Sequence, residues 1–498
     1  MADKAFQASG GAYLSLLRLL GWLCCPFCGG ALHAAAPDQL AGTHGYAVLS
    51  CSCGHYPVVA GIPILQKGPI GPARQTADEV IALIQAGRQR EALFALISPP
   101  SPALAPAWLR LLPAVKGLGR LQGLVHGWRL RGWRQQAAAL VTDPGRRATA
   151  CDLLDCYFRG ARRREAYHYF AFRFGQPRHL TALSFARLID RPTKPLLDLA
   201  CGCGHMTHSL LQRATGQPVI GVDSFFFGLY VAKHWLAPEA AYVCCAADAA
   251  LPFPDGACAA VFCSDAFHCF VHKATCMREL RRLTQPDGLI LLVTMHNARV
   301  RQPHAGLPLP PEGYQALAAD LPHRLVAASD VLARYLHKHG PALARAADPG
   351  HLADEMHLSL VASHRPEVLR DYGPFPDWPH AEGALGVNPL YVAEARDGCG
   401  NVQLRRTFPS AFYEAGHADC KQYLPAAVAV RAAVWADLAQ GKRTPEMERL
   451  IEQCVVVGMP ERYGGGRMRG RTEPAASGVC GLNATTVKRE PPAGVGSG

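Results

Sequence analysis

Between residues 193 and 297 short apolar runs alternate with amphipathic stretches. Pro195-Leu-Leu-Asp198, Pro218-Val-Ile-Gly-Val-Asp223, Ala260-Val-Phe-Cys-Ser264 and Leu289-Ile-Leu-Leu-Val-Thr-Met295 are apolar pieces of strand length. Ser209-Leu-Leu-Gln-Arg213 and Met277-Arg-Glu-Leu-Arg-Arg-Leu283 space their apolar residues as helices do. Strands and helices in alternation predict an α/β sheet whose strands are covered on both faces. The first strand leads through Ala200-Cys-Gly202-Cys-Gly204-His-Met-Thr207 into a helix. A glycine-rich turn at that place lets backbone pass close to a ligand.

Acids recur along the same stretch. Asp198 stands beside the glycine turn, Asp223 ends the second strand, and Asp248 follows the next short apolar segment in Cys245-Ala-Ala-Asp248-Ala-Ala-Leu-Pro. The spacing of Asp223 suits a carboxylate that grips ribose hydroxyls. Thr207 stands where a third glycine would complete a dinucleotide fingerprint, which argues against a plain NAD-type turn. This pattern resembles the Rossmann-like, class I methyltransferases that use S-adenosylmethionine, over residues 193–297. The resemblance implies a cofactor set of Asp198, Ala200, Gly202, Gly204, Asp223, Ser224, Asp248, Ala249 and Ser264. Within it, Asp223 is expected on the ribose and Asp248 at the adenine amine. An acid beside the turn suits a cationic sulfonium amino acid better than a pyrophosphate.

The amino-terminal region carries different chemistry. Cys25-Pro-Phe-Cys28 and Cys51-Ser-Cys53 flank a turn-rich segment and the short strand Tyr46-Ala-Val-Leu-Ser50. Four thiolates on two hairpins are what a closed structural zinc site needs. His55 could replace Cys53, and Cys24 could compete with Cys25. With Tyr56-Pro-Val-Val-Ala-Gly61-Ile-Pro63-Ile-Leu behind it, the segment 20–66 resembles the zinc ribbon of the small activator subunit shared by several tRNA and translation-factor methyltransferases. The second knuckle departs from that pattern in being CxC.

Composition narrows the picture only a little. The chain has 498 residues, 49% apolar, with a formal charge of +12 and 19 cysteines. That length allows about three domains, and the apolar content excludes global disorder. The charge favours an anionic partner without choosing among nucleic acid, a phosphorylated metabolite and solubility. Cysteines scattered this way fit reduced thiols plus a metal site, not a disulfide framework. The apolar segment from Tyr13 to Leu23 is interrupted by Arg18, has no cleavage site behind it, and reads as an amphipathic helix or an entry strand. No apolar run reaches membrane-spanning length. A cytoplasmic protein with no membrane partner is expected, of unspecified oligomeric state.

Around the core, residues 1–70 are expected to form the ribbon and 71–192 a helical linker and cap. Residues 298–465 are expected to form an α+β extension for substrate recognition, and 466–498 a disordered tail. Basic and aromatic residues interleave from Trp108 to Arg134 and again from Tyr157 to Phe170. They are dispersed, so a solvated helical face is favoured over a nucleic-acid surface. Tyr169, Phe172, Phe174 and Leu180 are placed in a cap over the cofactor. Asp265, His268 and His296 fall at the carboxyl ends of the fourth and fifth strands, where open α/β sheets bind ligands, and are the candidate catalytic residues. The expected function is methyl transfer to a small-molecule acceptor. An RNA methyltransferase with the ribbon as docking module, and a non-catalytic scaffold, are the alternatives.

Overall fold

A computed structural model describes residues 16–34, 45–71, 74–98, 132, 135–141, 148–159, 163–190, 192–214, 216–301, 306–375 and 383–464. The stretch from Trp108 to Arg131, Trp133, Arg134 and the tail 466–498 lie outside the described residues.

Strands β1 (His33–Ala34), β2 (Ala47–Cys51), β3 (Gly54–Val59) and β4 (Ile62–Pro63) form an antiparallel sheet in sequence order. Helices α1 (Ala77–Gln85) and α2 (Gln89–Ile97) follow. Helix α1 starts at a capping box, in which Thr76 and Glu79 each accept the other's backbone N–H. The cap comprises α3 (Ala150–Tyr157), α4 (Arg164–Ala171) and α5 (Pro177–Ala186). Every residue of α5 is buried.

The central sheet contains β5 (Leu196–Leu199), β6 (Val219–Asp223), β7 (Ala241–Cys244), β8 (Cys258–Ser264), β9 (Thr284–His296), β10 (His323–Ala327) and β11 (His357–Ala362). Their spatial order is β10-β11-β9-β8-β5-β6-β7, with β5 to β9 parallel and β10 and β11 antiparallel. Helices α6 (His205–Leu211), α7 (Phe226–Val231) and α8 (Lys273–Leu283) connect the parallel strands. Strand order reverses between β5 and β8, so a crevice opens at their carboxyl ends. Alternate residues feed two cores: Leu196, Val219 and Leu291 face the cap, and Leu197, Ile220 and Leu292 face the other side. This is a methyltransferase-like α/β fold with a mixed sheet.

The sheet does not stop at residue 297, where the apolar pattern ended the core. Helices α9 (Pro311–Leu317), α10 (Ala328–Leu336) and α11 (Pro349–Asp354) connect β9, β10 and β11. Beyond them, β12 (Ala384–Val387) pairs with β16 (Val456–Met459), and β13 (Tyr391–Arg396), β14 (Val402–Arg406) and β15 (Ala427–Val430) form a third antiparallel sheet. The apolar spacing from Tyr423 to Leu438 suits one continuous helix, but Pro425 ends the preceding turn, and Ala427-Val-Ala-Val430 pairs as β15 before the helix Ala432–Ala439. Helix α12 (Ala411–Gly416) rests on the cap, where Gln176 Nε2 donates to the Tyr413 hydroxyl at 2.9 Å.

The ribbon is joined to the central sheet. Ile64 pairs in parallel with Cys244 on β7, and the Leu65 N–H donates to the Cys244 carbonyl at 2.8 Å. Leu16, Leu19, Leu23, Leu49 and Tyr56 share one core with Leu197, Ile220 and Val243. Residues 16–20 are helical with Leu16 and Leu19 buried, which decides for the helix over the entry strand. The free edge of β7 is thereby covered.

Candidate functional site

The turn after β5 is held by backbone geometry. Ala200 has φ 56°, Gly202 57° and Gly204 81°, all left-handed. A Cβ on Gly204 would stand 2.7 Å from the Ala232 Cβ, so that glycine is required for packing against the chain after α7. A Cβ on Gly202 would stand 3.3 Å from the Phe170 ring, which closes over the turn from α4. Asp265 at the end of β8 and Thr294 on β9 also have positive φ, 56° and 54°. For a β-branched residue this is a strained conformation. Left-handed backbone therefore recurs at or near the carboxyl ends of three neighbouring strands, and is strained at Thr294.

Asp223, at the end of β6, reaches over to the turn after β5. One of its oxygens accepts the Gly202 N–H at 2.8 Å and the other the Phe225 N–H at 2.8 Å. Both oxygens keep further acceptor capacity, as ribose hydroxyls would need. Burial raises its pKa, opposed by these N–H bonds. Asp198 is buried more deeply; burial pushes its carboxyl up to about 7, against the Thr207 hydroxyl, which donates to it at 2.6 Å. The buried Ser264 hydroxyl has no hydrogen-bond partner among the described residues. Asp248 is half-buried and accepts the Val271 N–H at 3.2 Å, and Ala249 is exposed beside it. The carboxylates, the glycine backbone and the orphaned hydroxyl together fit a polar, cationic nucleoside such as S-adenosylmethionine.

Next to this turn lies a buried polar cluster. Asp265 Oδ2 accepts from the Tyr169 hydroxyl at 3.0 Å, Arg173 Nη1 at 2.9 Å and Arg178 Nη1 at 3.2 Å. Burial opposes ionisation of Asp265, but Arg178 and Arg173 outweigh it and hold the carboxyl well below its ordinary range. A carboxylate held so low is a poor proton acceptor. His268 and His296 stack with ring centroids 3.6 Å apart, and His357 from β11 lies 5.3 Å from His296. Burial, with Arg178 next in size, keeps His357 well below its usual pKa and so neutral. Ligating atoms of Asp265, His268 and His296 lie within 4.8 Å of one another. Two guanidinium groups on the same carboxylate make that spot unsuited to a divalent cation.

Asp265, His268 and His296 thus converge as their sequence positions implied. Asn297, also at the end of β9, is spent on structure: its amide donates to the carbonyls of Leu352, Ala353 and Glu355. Tyr169, Arg173, Arg178 and His357 join the site without having been singled out as catalytic. A legible signal existed in Arg173-Phe-Gly-Gln-Pro-Arg178-His, where basic residues enter the largely apolar segment from Phe170 to Ala186.

At the ribbon, the Cys25 and Cys53 sulfurs lie 3.4 Å apart, Cys51 and Cys53 3.4 Å, and Cys28 and Cys51 3.8 Å. Cys51 pairs with Gly54 in the β2–β3 register, so Ser52 and Cys53 form a two-residue turn that brings the Cys51 and Cys53 thiols together. His55 and Cys24 are outside the four-cysteine group. The Tyr56 hydroxyl lies 3.2 Å from the Cys25 sulfur.

Residues 197–292 match the methyltransferase-domain family. The chain is 35% identical over 107 residues to a demethylmenaquinone methyltransferase of Thermus thermophilus, covering 21% of this chain and 49% of that protein. It therefore spans about half the length of this curated relative. A methyltransferase of Haloferax volcanii solved with its activator is 15% identical, with a TM-score of 0.30 over 40% of this chain and 93% of that one. A Burkholderia thailandensis 1,6-didemethyltoxoflavin-N1-methyltransferase is 16% identical, with a TM-score of 0.26 over 37% of this chain and 76% of that one. Structural overlaps this low add nothing to the domain match. The methyltransferase domain covers the glycine turn, Asp223, Asp265 and His268, and leaves the cap, β11 and the ribbon outside it. Among the described residues, no helix is long and apolar enough to cross a membrane.

Proposed function

We propose that the protein is an S-adenosylmethionine-dependent methyltransferase that acts on a small-molecule acceptor. The observation that carries this reading is Asp223, whose carboxylate faces the left-handed glycine turn within a matched methyltransferase domain. When bound, S-adenosylmethionine supplies an electrophilic methyl group on its sulfonium. Asp223 would accept hydrogen bonds from its ribose hydroxyls, and Asp198 would supply negative charge beside the turn. His268 and His296, at the strand ends facing the transfer, are the groups able to take a proton from the acceptor nucleophile. Asp265 holds Arg173 and Arg178 in place. The cap closes the site from above, and positioning in a dry chamber supplies most of the rate. The extension enclosing the cap through Tyr413 fits a small acceptor better than a polymer.

The ribbon is assigned one structural zinc on Cys25, Cys28, Cys51 and Cys53, a closed ligand set with no position for chemistry. Calorimetry with S-adenosylmethionine tests the main reading. Asp223→Ala removes hydrogen bonds from a charged acceptor, worth about 1.5–3 kcal/mol, so its affinity should fall by roughly 10- to 150-fold. Equal affinity in variant and wild type would refute the assignment. Submicromolar binding of total RNA with a steep salt slope, together with methyl transfer into it, would replace the small acceptor with RNA.

A further inference from the structure

Residues 460–463, which follow β16, are threaded into the cap, and Tyr463 is fully buried. The Arg462 and Tyr463 carbonyls accept the Ala150 and Cys151 N–H groups at 2.8 and 3.0 Å. The segment thereby satisfies donors that the start of α3 leaves free. The Tyr463 hydroxyl donates to the Phe170 carbonyl, one of those that the end of α4 leaves without a helical donor. With that proton spent, His205 Nε2, 3.0 Å from the hydroxyl oxygen, donates the second bond. One short segment thus ties α3, α4 and α6 together.

These three helices meet at the Phe170 ring. The ring stacks on Phe158 just after α3 at 5.7 Å and on His205, the first residue of α6, at 6.2 Å. Its edge lies against Gly202, within 3.3 Å of where a Cβ would stand. Anything seated on that face of the turn is therefore in van der Waals reach of the ring. Phe170 is only half-buried, so burial alone does not lock it. Its place over the turn is set by its own backbone and by His205, and Tyr463 holds both.

We infer that Tyr463 is a positioning residue for the cofactor: through the Phe170 carbonyl and His205 it fixes the aromatic wall of the glycine turn and so slows release of S-adenosylmethionine. This rests on the methyltransferase reading and adds to it a residue from outside the matched domain. The test loads the full chain with labelled S-adenosylmethionine and follows its release after unlabelled cofactor is added in excess. Tyr463→Phe should release the label about three- to tenfold faster than the wild type, the scale of one lost hydrogen bond. Phe170→Leu keeps the carbonyl and removes the ring. It should release at least as fast, and adding Tyr463→Phe to it should change the rate no further. Tyr423→Phe is the control, since its hydroxyl donates to the Gly175 carbonyl at 2.7 Å, another bond from the extension to the stretch beyond α4. It should lower the denaturant midpoint about as much as Tyr463→Phe does, with release at the wild-type rate. Wild-type release in Tyr463→Phe, equal acceleration in Tyr423→Phe, or a further increase in the double variant would overturn the inference. If Tyr463→Phe does not fold, wild-type release in Phe170→Leu would overturn it as well. Failure of the wild type to bind labelled cofactor would instead overturn the function reading, and this inference with it.

Discussion

The cysteine ribbon and the cluster around Asp265 both bring several side chains to one point, but they draw on the chain in opposite ways. The ribbon's sulfurs come from residues 25–53, and two tight turns set their geometry. The Asp265 cluster gathers Tyr169 and the arginines at 173 and 178 from the cap, His268 and His296 from the ends of parallel strands, and His357 from an antiparallel strand. Local turns can be recognised from spacing alone. A site assembled across the fold depends on the whole sheet closing first. The two should therefore fail differently when single groups are removed.

The largest effect is expected at the ribbon. A structural zinc contributes about 10–16 kcal/mol of apparent binding energy in small zinc-finger peptides, so removing one thiolate should release the metal. Cys51→Ser should abolish a stoichiometry of one zinc per chain, as measured by elemental analysis, and His55→Ala should retain it. Because Leu49 and Tyr56 share a core with Ile220 and Val243, proteolysis of the metal-free chain should reach the β7 edge as well as the ribbon. Full metal retention in Cys51→Ser would break the assignment. Cleavage confined to the ribbon would show that the sheet side of this shared core stands without it.

A smaller but global effect is expected at Asp265. Asp265→Ala leaves two buried guanidinium groups without their shared carboxylate, and breaking a buried pair costs about 3–5 kcal/mol. Denaturant unfolding should show a lower midpoint with an unchanged slope. A loss below about 1 kcal/mol, the scale of an exposed pair, would mean that water reaches the cluster and that it is not the dry chamber described above.

The same contrast explains what the sequence made legible. Gly202, Gly204, Asp198 and Asp223 follow one another over a short stretch, and the turn chemistry carried its own signal. Asp265 and His268 followed from their place at a strand end. Arg178 and His357 carry no such spacing, since their neighbours in space are far away in sequence. Strands β10 and β11 were also missed as parts of the central sheet, although His357-Leu-Ser-Leu-Val-Ala362 is a short, fully buried run. Its six residues are too few to distinguish strand from helix by periodicity, and only pairing with β9 decides it. At the other end, the alternation in Ala427-Val-Ala-Val430 was hidden inside a longer helical pattern.

The smallest effect expected is a pH dependence that belongs to the glycine turn, between these two regions. Burial lifts the Asp198 carboxyl from an ordinary 3.8 to about 7, so the folded protein holds a proton there that the unfolded chain has already released. With more protons bound in the folded state, stability falls as pH rises from about 4 to about 7, then levels off. Binding of a cationic cofactor beside Asp198 favours the ionised form and should run the other way. With a folded pKa near 7, the ionised fraction grows about tenfold between pH 6 and pH 8, and S-adenosylmethionine affinity should rise by about the same factor. Asp223 is also shifted upward by burial, so the wild-type profile alone would not separate the two carboxylates. Asp198→Asn does separate them: its neutral amide keeps the shape beside Thr207 and cannot titrate. Calorimetry across this range should give a rising affinity in the wild type and a flat one in Asp198→Asn. A profile that rises equally in both would move the titration to Asp223, and a flat wild-type profile would remove Asp198 from the charge balance of the turn.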